Sequence, residues 1–265
     1  MTEVDINGIG IWSERFANWD DFCRVLAGGE AAGDGSLKAE LIAARERRRA
    51  PQSVKLAVEV MDQACRMAAI DAADAATVFA SGMGDMQLTD YMCTTLMRMP
   101  RAVSPTRFHN SVHNAATGYW SIATGSHATA NAISGFDDSA AIALLEGAVQ
   151  AVEEQVPVVV AIEETAAPEA FRSIYESTQP LGSALLLTAA GSRPAAMAKL
   201  RIRLEDGPSP RDAAPLPPAL AFPGNYAATL LPLFKLLSEG EAGSLALALG
   251  ARQHLVVDLA PATRQ

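Results

Sequence analysis

The alternation of apolar and polar positions divides the chain into short strands and amphipathic helices. Residues 54–67 carry apolar side chains at helical spacing and predict a helix, whereas the continuous apolar run at 156–162 predicts a buried strand. The same criteria predict further strands at 4–12, 78–80, 128–133, 184–189, 198–204, 245–249 and 254–259, and further helices at 18–26, 88–97, 112–123, 139–154 and 227–237. Because strands and helices alternate, we expect a layered α/β protein with a mostly parallel sheet.

Composition narrows the class of protein. The 265 residues are 49% hydrophobic, enough to bury a large core, and the net charge of -9 disfavours a nucleic-acid binder. Cys23, Cys65 and Cys93 form no C-x-x-C pair, which favours free thiols in a reducing compartment, and Cys93 is expected to be buried in a helix. The sequence shows neither a signal peptide nor an apolar run of membrane-spanning length, so we expect a cytoplasmic protein.

The turn at residues 134–138 lies between a predicted strand and a predicted helix, where many α/β enzymes present a nucleophile. It contains no cysteine, and Ser134 lies outside a G-x-S-x-G motif. The segment therefore has the layout of a nucleophile turn without an obvious nucleophile.

Four segments resemble motifs of one family. They are VDINGIGIWS at 4–13, VFASGMG at 78–84, NAATGYWSIATG at 114–125 and GARQHLVVDL at 250–259. Their order and spacing resemble the N-terminal half of a beta-ketoacyl synthase, a member of the thiolase-like superfamily. The resemblance implies an α/β fold with thiolase-like αβα layers, complete in the first half and reduced in the second. It also implies one domain over 1–265, with a synthase-like core at 1–190, a Pro-rich crossover at 207–223, and a reduced end of one helix and two strands at 224–265.

The chain departs from the family pattern where the family does its chemistry. The nucleophilic cysteine of T-A-C-A-S-G would fall at about Asp137 or Phe136. The family also needs two histidines and a lysine from its C-terminal half, where this chain retains only His254. An aspartate can cap a helix, but its negative charge disfavours a nearby carbanion. We therefore predict no catalytic residue, no cofactor and no metal, although the sequence leaves enzymatic activity uncertain.

The departures resemble the chain-length-factor type of subunit, a degenerate synthase that pairs with an active one. Short forms of this type are associated with aryl polyene and xanthomonadin-like pathways. The expected partners are an active beta-ketoacyl synthase, in a heterodimer, and an acyl carrier protein, with a homodimer when the chain is isolated. The alternative is an enzyme acting on acyl thioesters, such as a thioesterase or a malonyl decarboxylase, with a nucleophile other than cysteine.

The resemblance also suggests interface residues, each with a structural alternative. In the family, two subunits pair along the strand before the turn, here 127–133, and the helix at 112–123 could reach the partner's acyl tunnel. Tyr119 and Trp120 are its bulkiest residues, although they could equally fill the core. The strand's interface candidates are Ala128, Ala130, Asn131 and Ala132.

The one basic cluster is a candidate docking patch for an acidic carrier protein, or else a solvated helix face. It consists of Arg45, Arg47, Arg48, Arg49 and Lys55. His109 and His113 are four residues apart, a spacing compatible with metal ligands on one helix, but a hydrogen-bond network at a helix entry is favoured.

Overall fold

The computed structural model describes residues 1–33, 35–193, 196–209 and 216–261, and in them eight strands form one sheet ordered β3-β2-β4-β5-β1-β6-β8-β7. The strands are β1 (Thr2–Ser13), β2 (Ala76–Ala80), β3 (Ala130–Ile133), β4 (Val158–Glu164), β5 (Leu181–Ala189), β6 (Ala198–Asp206), β7 (Gly243–Leu249) and β8 (Gln253–Pro261). The helices are α1 (Trp19–Leu26), α2 (Ala44–Arg47), α3 (Gln52–Met67), α4 (Met86–Arg98), α5 (Pro105–His109), α6 (Ala115–Thr124), α7 (Ser139–Glu153) and α8 (Leu231–Glu239). None of the helices in these ranges is long and apolar enough to span a bilayer.

The layered α/β architecture is confirmed, but the expectation of a mostly parallel sheet is wrong. Only β2 runs parallel to its neighbours, β3 and β4, whereas the other neighbouring strands are antiparallel. A parallel pair needs a long crossover that returns the chain to the same end of the sheet. The segment between β4 and β5 contains only a short 3-10 turn, and a tight turn at residues 250–252 joins β7 to β8. These connections reverse the chain.

Helices cover both faces of the sheet. Helices α3 and α6 pack on one face, around Leu56, Val60 and Trp120, while α7 packs on the opposite face, around Leu144. Helix α7 contacts β1, β2, β4 and β5, and it also contacts β7. It therefore packs against strands from the middle of the sheet and against β7 at the end of the strand order.

Two glycines in β1 set the distance between the sheet and α3. A Cβ atom on Gly8 would lie 2.0 Å from the carbonyl oxygen of Ala64, and one on Gly10 would lie 1.8 Å from that of Val60. Both neighbours are backbone atoms of a helix and have little freedom to retreat. Glycine is required at these positions because the backbones themselves are in contact.

The element boundaries correct several expectations. The helix predicted at 112–123 begins at Ala115, and the preceding α5 was not predicted because its five residues carry no periodic signal. The helix predicted at 227–237 begins as a 3-10 turn, Tyr226–Leu230, and becomes α-helical at Leu231. Cys93 is exposed rather than buried. Residues 210–215 of the predicted crossover lie outside the described residues.

The Gly10 contact yields a stability prediction. Gly10→Ala should lower the free energy of unfolding by at least about 2 kcal/mol, because overpacking against a rigid backbone forces the helix and the sheet apart. Gly118→Ala in α6 is the matched control, since a Cβ there meets no atom within 4 Å and alanine favours helix. Urea denaturation of both variants checks the prediction, which equal stabilities would contradict.

Candidate functional site

The turn between β3 and α7 holds a non-glycine residue in a left-handed conformation. Phe136 has φ +51°, and its side chain is 64% exposed. The Ser139 hydroxyl donates to the Phe136 carbonyl oxygen at 2.7 Å and accepts from the Gly135 N–H at 2.9 Å. A residue other than glycine in this conformation costs about 1–2 kcal/mol, so the surrounding structure must impose it.

The two positions predicted for the family nucleophile, Phe136 and Asp137, both lie in this turn. The Asp137 side chain is exposed. Asp138, at the start of α7, accepts a hydrogen bond from the Gly250 N–H at 2.7 Å through Oδ2. The turn therefore presents an aromatic ring and a carboxylate to solvent, and Asp138 links its end to the β7–β8 connection.

Gly82, after β2, packs directly beneath the turn. A Cβ atom on Gly82 would lie 2.5 Å from both the Phe136 carbonyl oxygen and Cδ2 of Tyr226. The Ser134 hydroxyl donates to the Gly82 carbonyl oxygen at 3.2 Å. Close packing by a backbone carbonyl and an aromatic ring leaves no space at Gly82 for a reacting group.

The geometry does not support Ser134 as a hydrolase nucleophile. Its hydroxyl bonds to a carbonyl oxygen rather than to a base, and His113 Nε2 lies 2.8 Å from the Ile133 carbonyl oxygen. His113 lies outside a helix whereas His109 ends α5, so the two are not ligands on one helix. Among the described residues, no group of three or more histidine, cysteine or acidic side chains could hold a metal ion.

The Glu164 carboxyl group holds the segment that follows β2 in place through hydrogen bonds. Its carboxyl group accepts hydrogen bonds from the Gly82 N–H and, at 3.4 Å, from the Tyr175 hydroxyl. Burial raises the pKa of Glu164 to about 7, against the opposing effect of the Gly82 and Met83 N–H groups and the Ser81 and Tyr175 hydroxyls. The carboxyl group thus links the end of β4 to the glycine turn.

Glu163 was missed by the sequence analysis. It is 1% exposed, and neither carboxyl oxygen has a hydrogen-bond partner among the described residues. Burial raises its pKa well above the ordinary value, and the carboxyl groups of Glu164 and Asp85 raise it further. The available signal was the pair of acids ending the apolar run at 156–162, since a buried strand rarely ends in two carboxyl groups without a specific role.

Strand β3 is the first strand of the sheet order, so one of its edges has no strand beside it among the described residues. The carbonyl oxygens of Thr129 and Ile133 accept from β2, at the N–H groups of Thr77 and Ser81. Because backbone groups alternate along a strand, those of Ala130 and Ala132 point to the open edge. The backbone of Asn131 faces β2.

The other candidates for the subunit interface have different environments. The Asn131 side chain donates to Glu146 of α7 at 3.1 Å, and Ala128 is half-buried before the strand. Trp120 is fully buried in the core between α3 and the sheet. Tyr119 is half-buried, and its hydroxyl donates to Asn110 at 3.3 Å.

An apolar groove lies between α5, α6 and the segment around α2. Its volume is about 790 Å³, and its lining includes Ile42, Val112, Tyr119 and Ile122. Ile122 is 83% exposed, and Phe108, also in the α5–α6 region, is 62% exposed. Helix α6, which carries Ile122, also contacts β3, so these exposed apolar side chains belong to the layer that packs on the β3 end of the sheet.

The predicted basic cluster is not one continuous helix face. Arg45 and Arg47 lie in the single turn of α2, Arg48 and Arg49 follow it, and Lys55 lies on α3. Arg47 Nη1 donates to the carbonyl oxygens of Lys38 and Ala39, which holds that side chain against the loop. Arg45, Arg48 and Arg49 are exposed, and none of the five forms an ion pair within the described ranges.

His254, the one histidine of the C-terminal region, has a structural environment. It is 6% exposed in β8, its Nδ1 lies 3.1 Å from the Gly207 carbonyl oxygen, and its Nε2 lies 3.7 Å from Glu205. Its ring is thus engaged with the neighbouring strand β6 and the residue that follows it.

The profile of the beta-ketoacyl synthase N-terminal domain matches residues 19–222. The chain belongs to this family. Three solved structures share its fold at low sequence identity. One is the complex of the ketosynthase ApeO with its chain length factor ApeC from Xenorhabdus doucetiae, with 17% identity, a TM-score of 0.71, and coverage of 97% of this chain and 99% of the matched one.

The second is the ishigamide ketosynthase/chain length factor, with 13% identity, a TM-score of 0.75, and coverage of 99% of this chain and 100% of the other. The third is AntDE:AntF, a type II polyketide acyl-carrier protein in complex with its ketosynthase bound to the hexaketide. It has 10% identity and a TM-score of 0.78, over 98% of this chain and 99% of the other. No curated protein sequence matches this chain significantly.

The buried carboxyl group of Glu164 makes the stability depend on pH. Its pKa is raised in the folded chain, so between about pH 4.5 and 7 the folded state keeps a proton that the unfolded state has released. The free energy of unfolding should therefore fall as pH rises through this window, by about 3 kcal/mol from this group.

Urea denaturation at several pH values tests this prediction with two variants. Glu164→Gln cannot ionise and should remove the part of the dependence that Glu164 contributes, while the part due to the neighbouring Glu163, whose pKa is also raised, remains. Tyr175→Phe removes a donor that lowers the pKa of Glu164, so it should extend the window to higher pH. An unchanged pH slope in Glu164→Gln would show that the group does not titrate in this range.

Proposed function

We propose that this chain is a non-catalytic subunit of the chain-length-factor type, which pairs with an active beta-ketoacyl synthase and helps shape the site that holds its growing acyl chain. The observation that carries the proposal is the turn at 134–138: the position of the family nucleophile holds Phe136 and Asp137, and packing closes Gly82 beneath it. A condensing enzyme needs a thiolate there, activated by the helix N-terminus.

The solved complexes support the pairing. Two of them contain a ketosynthase together with a chain length factor, and a third contains an acyl carrier protein. Their alignments run almost end to end over both chains, so the short second half of this chain has counterparts of similar extent. From the sequence resemblance, rather than from these complexes, we further propose a polyene-type pathway in the cytoplasm, with aryl polyene or xanthomonadin-like pigments as the product class.

The surface next to β3 provides the contacts such a pairing needs. The open edge offers the backbone groups of Ala130 and Ala132, which a partner strand can bind. Ile122 and Val112 supply exposed apolar area beside it. Tyr119, at the groove, is better placed to reach a partner than Trp120, which is enclosed in the core.

The five cations around α2 are the proposed docking patch for the carrier protein. Arg45, Arg48 and Arg49 are exposed. They form a positively charged patch on a chain whose net charge is -9. An acidic carrier protein would be attracted to this patch and repelled elsewhere.

Intact-mass analysis and product assays test the assignment. The isolated chain, incubated with acyl-loaded carrier protein, should acquire no acyl group and condense no malonyl units, because it lacks a nucleophile. The pair formed with its cognate synthase should make product, with the acyl adduct on the synthase alone. An acyl adduct on this chain would instead support the acyl-thioester enzyme.

The interface is tested by proline at the open edge. Ala132→Pro removes an outward N–H and should weaken binding of the partner at least tenfold, about 1.4 kcal/mol. Asn131→Ala is the control, because it deletes the amide bonded to Glu146 and leaves the edge backbone intact. Co-purification and titration of the two subunits give the affinities, and equal affinities for both variants would place the interface elsewhere.

A further inference from the structure

A cavity of about 370 Å³ lies on the α3 side of the sheet, and Glu163 lines it. Neighbouring residues of a strand point to opposite faces, so Glu163 faces α3 and α6 whereas Glu164 faces α7. The sheet therefore separates this cavity from the turn at Phe136. We call it the Glu163 cavity. Its volume lies within the range of about 300–1,000 Å³ that small-molecule sites occupy.

The walls of the Glu163 cavity are mostly apolar. Val54 from α3, Phe79 from β2, Met83, Leu88 from α4 and Val112 contribute to them. An apolar wall favours an alkyl chain or a ring over a strongly hydrated ligand.

The polar groups of the cavity, apart from Glu163, are largely engaged. Asp85 accepts from the Leu88 N–H at 2.7 Å and from the Ser53 hydroxyl at 2.6 Å, so it caps α4. His113 is held on the Ile133 carbonyl oxygen. Glu163 is different, because both of its carboxyl oxygens lack a partner among the described residues. Leaving such a group unsatisfied is unfavourable, and a ligand with matching donor and acceptor groups would remove this cost.

Burial and the carboxyl groups of Glu164 and Asp85 raise the pKa of Glu163, which favours the neutral form of its carboxyl group. A neutral carboxylic acid offers one O–H donor and one carbonyl acceptor side by side. A primary carboxamide presents the complementary acceptor and donor and forms two hydrogen bonds with it. An anionic ligand would face Asp85, and a cationic one would require Glu163 to ionise in an apolar site.

We propose that the Glu163 cavity binds a small apolar molecule ending in a neutral carboxamide, which pairs with the carboxyl group of Glu163. The cavity shares Val112 with the surface proposed for subunit pairing, so the ligand is tested on the isolated chain, without a partner subunit.

Cys93 provides the reporter. It is exposed and lines the cavity, whereas burial raises the pKa of Cys65 to about 12 and also raises that of the half-buried Cys23. A trifluoroacetonyl reagent should therefore label Cys93 first. The fluorine resonance is then titrated with hexanamide, hexylamine and hexanoate, which share a chain length and differ in charge.

Two substitutions of Glu163 separate hydrogen bonding from charge. Glu163→Gln keeps one donor and one acceptor and should bind hexanamide within about threefold of the original chain. Glu163→Met removes both and should weaken binding at least tenfold. Thermal melting verifies that each variant folds. Val112→Trp should narrow the cavity and weaken hexanamide binding. Because Val112 is exposed, this variant gives a separate test even if the Glu163 variants do not fold.

Several results would overturn the proposal. Hexylamine binding that disappears in Glu163→Gln would show a site for a cation. Equal hexanamide affinity in Glu163→Met would show that the carboxyl group is not the partner. A resonance that none of the three compounds shifts would show that the cavity takes no ligand of this size. Since no subunit pairing is measured, each outcome leaves the proposed function to its own tests.

Discussion

The burial of helix α7 is the constraint on which the rest of the structure depends. Small residues, among them Ala141, Gly147 and Ala148, let the helix lie close to the sheet, and a Cβ on Gly147 would come within 2.1 Å of Val160 Cγ2. A helix packed this closely cannot shift along its axis to relieve its first turn. The strain at Phe136 is therefore imposed by packing rather than by chemistry. Because the helix must begin there, packing alone accounts for the shape of the turn, whichever side chains occupy residues 136 and 137.

The same packing explains the two neighbouring carboxyl groups at the end of β4. Glu164 faces α7 and is surrounded by donors from the turn after β2. These hydrogen bonds offset the cost of its burial. They also hold in place the turn that packs against Phe136. Glu163 faces the other layer and has no such compensation. Strand β4 thus ends in two acidic residues with different environments. Glu164 is hydrogen-bonded to the turn after β2, whereas Glu163 lines a cavity and its carboxyl group has no hydrogen-bond partner among the described residues. The alternation of side chains along a strand is enough to separate them.

Much of the fold could be predicted from local signals. The apolar periodicity of α3, the buried run of β4 and the glycines of β1 predict their elements because each depends on neighbouring residues alone. The antiparallel pairing could not be predicted. The direction of a strand depends on the path of the loops that connect it, and loops show no hydrophobic periodicity in the sequence. Short α5 was missed for the same reason. At the site, the turn was located from its place between two elements, but the pairing of Glu164 with Gly82 joins residues 82 positions apart. Such contacts exist only in the folded chain.

Strand β3 ends the sheet with an edge that no other strand covers among the described residues. Strand β3 is only four residues long, which limits uncontrolled pairing but leaves the outward groups of Ala130 and Ala132 without a neighbouring strand in the described residues. The exposed side chain of Ile122 and the adjoining groove add apolar area in the same region. A short edge alone binds weakly and an apolar groove alone is not selective, but in the proposed pairing the two together would fix both the direction and the position of a partner strand. Under that proposal, the contribution of this chain depends on how accurately the two features hold it against the synthase.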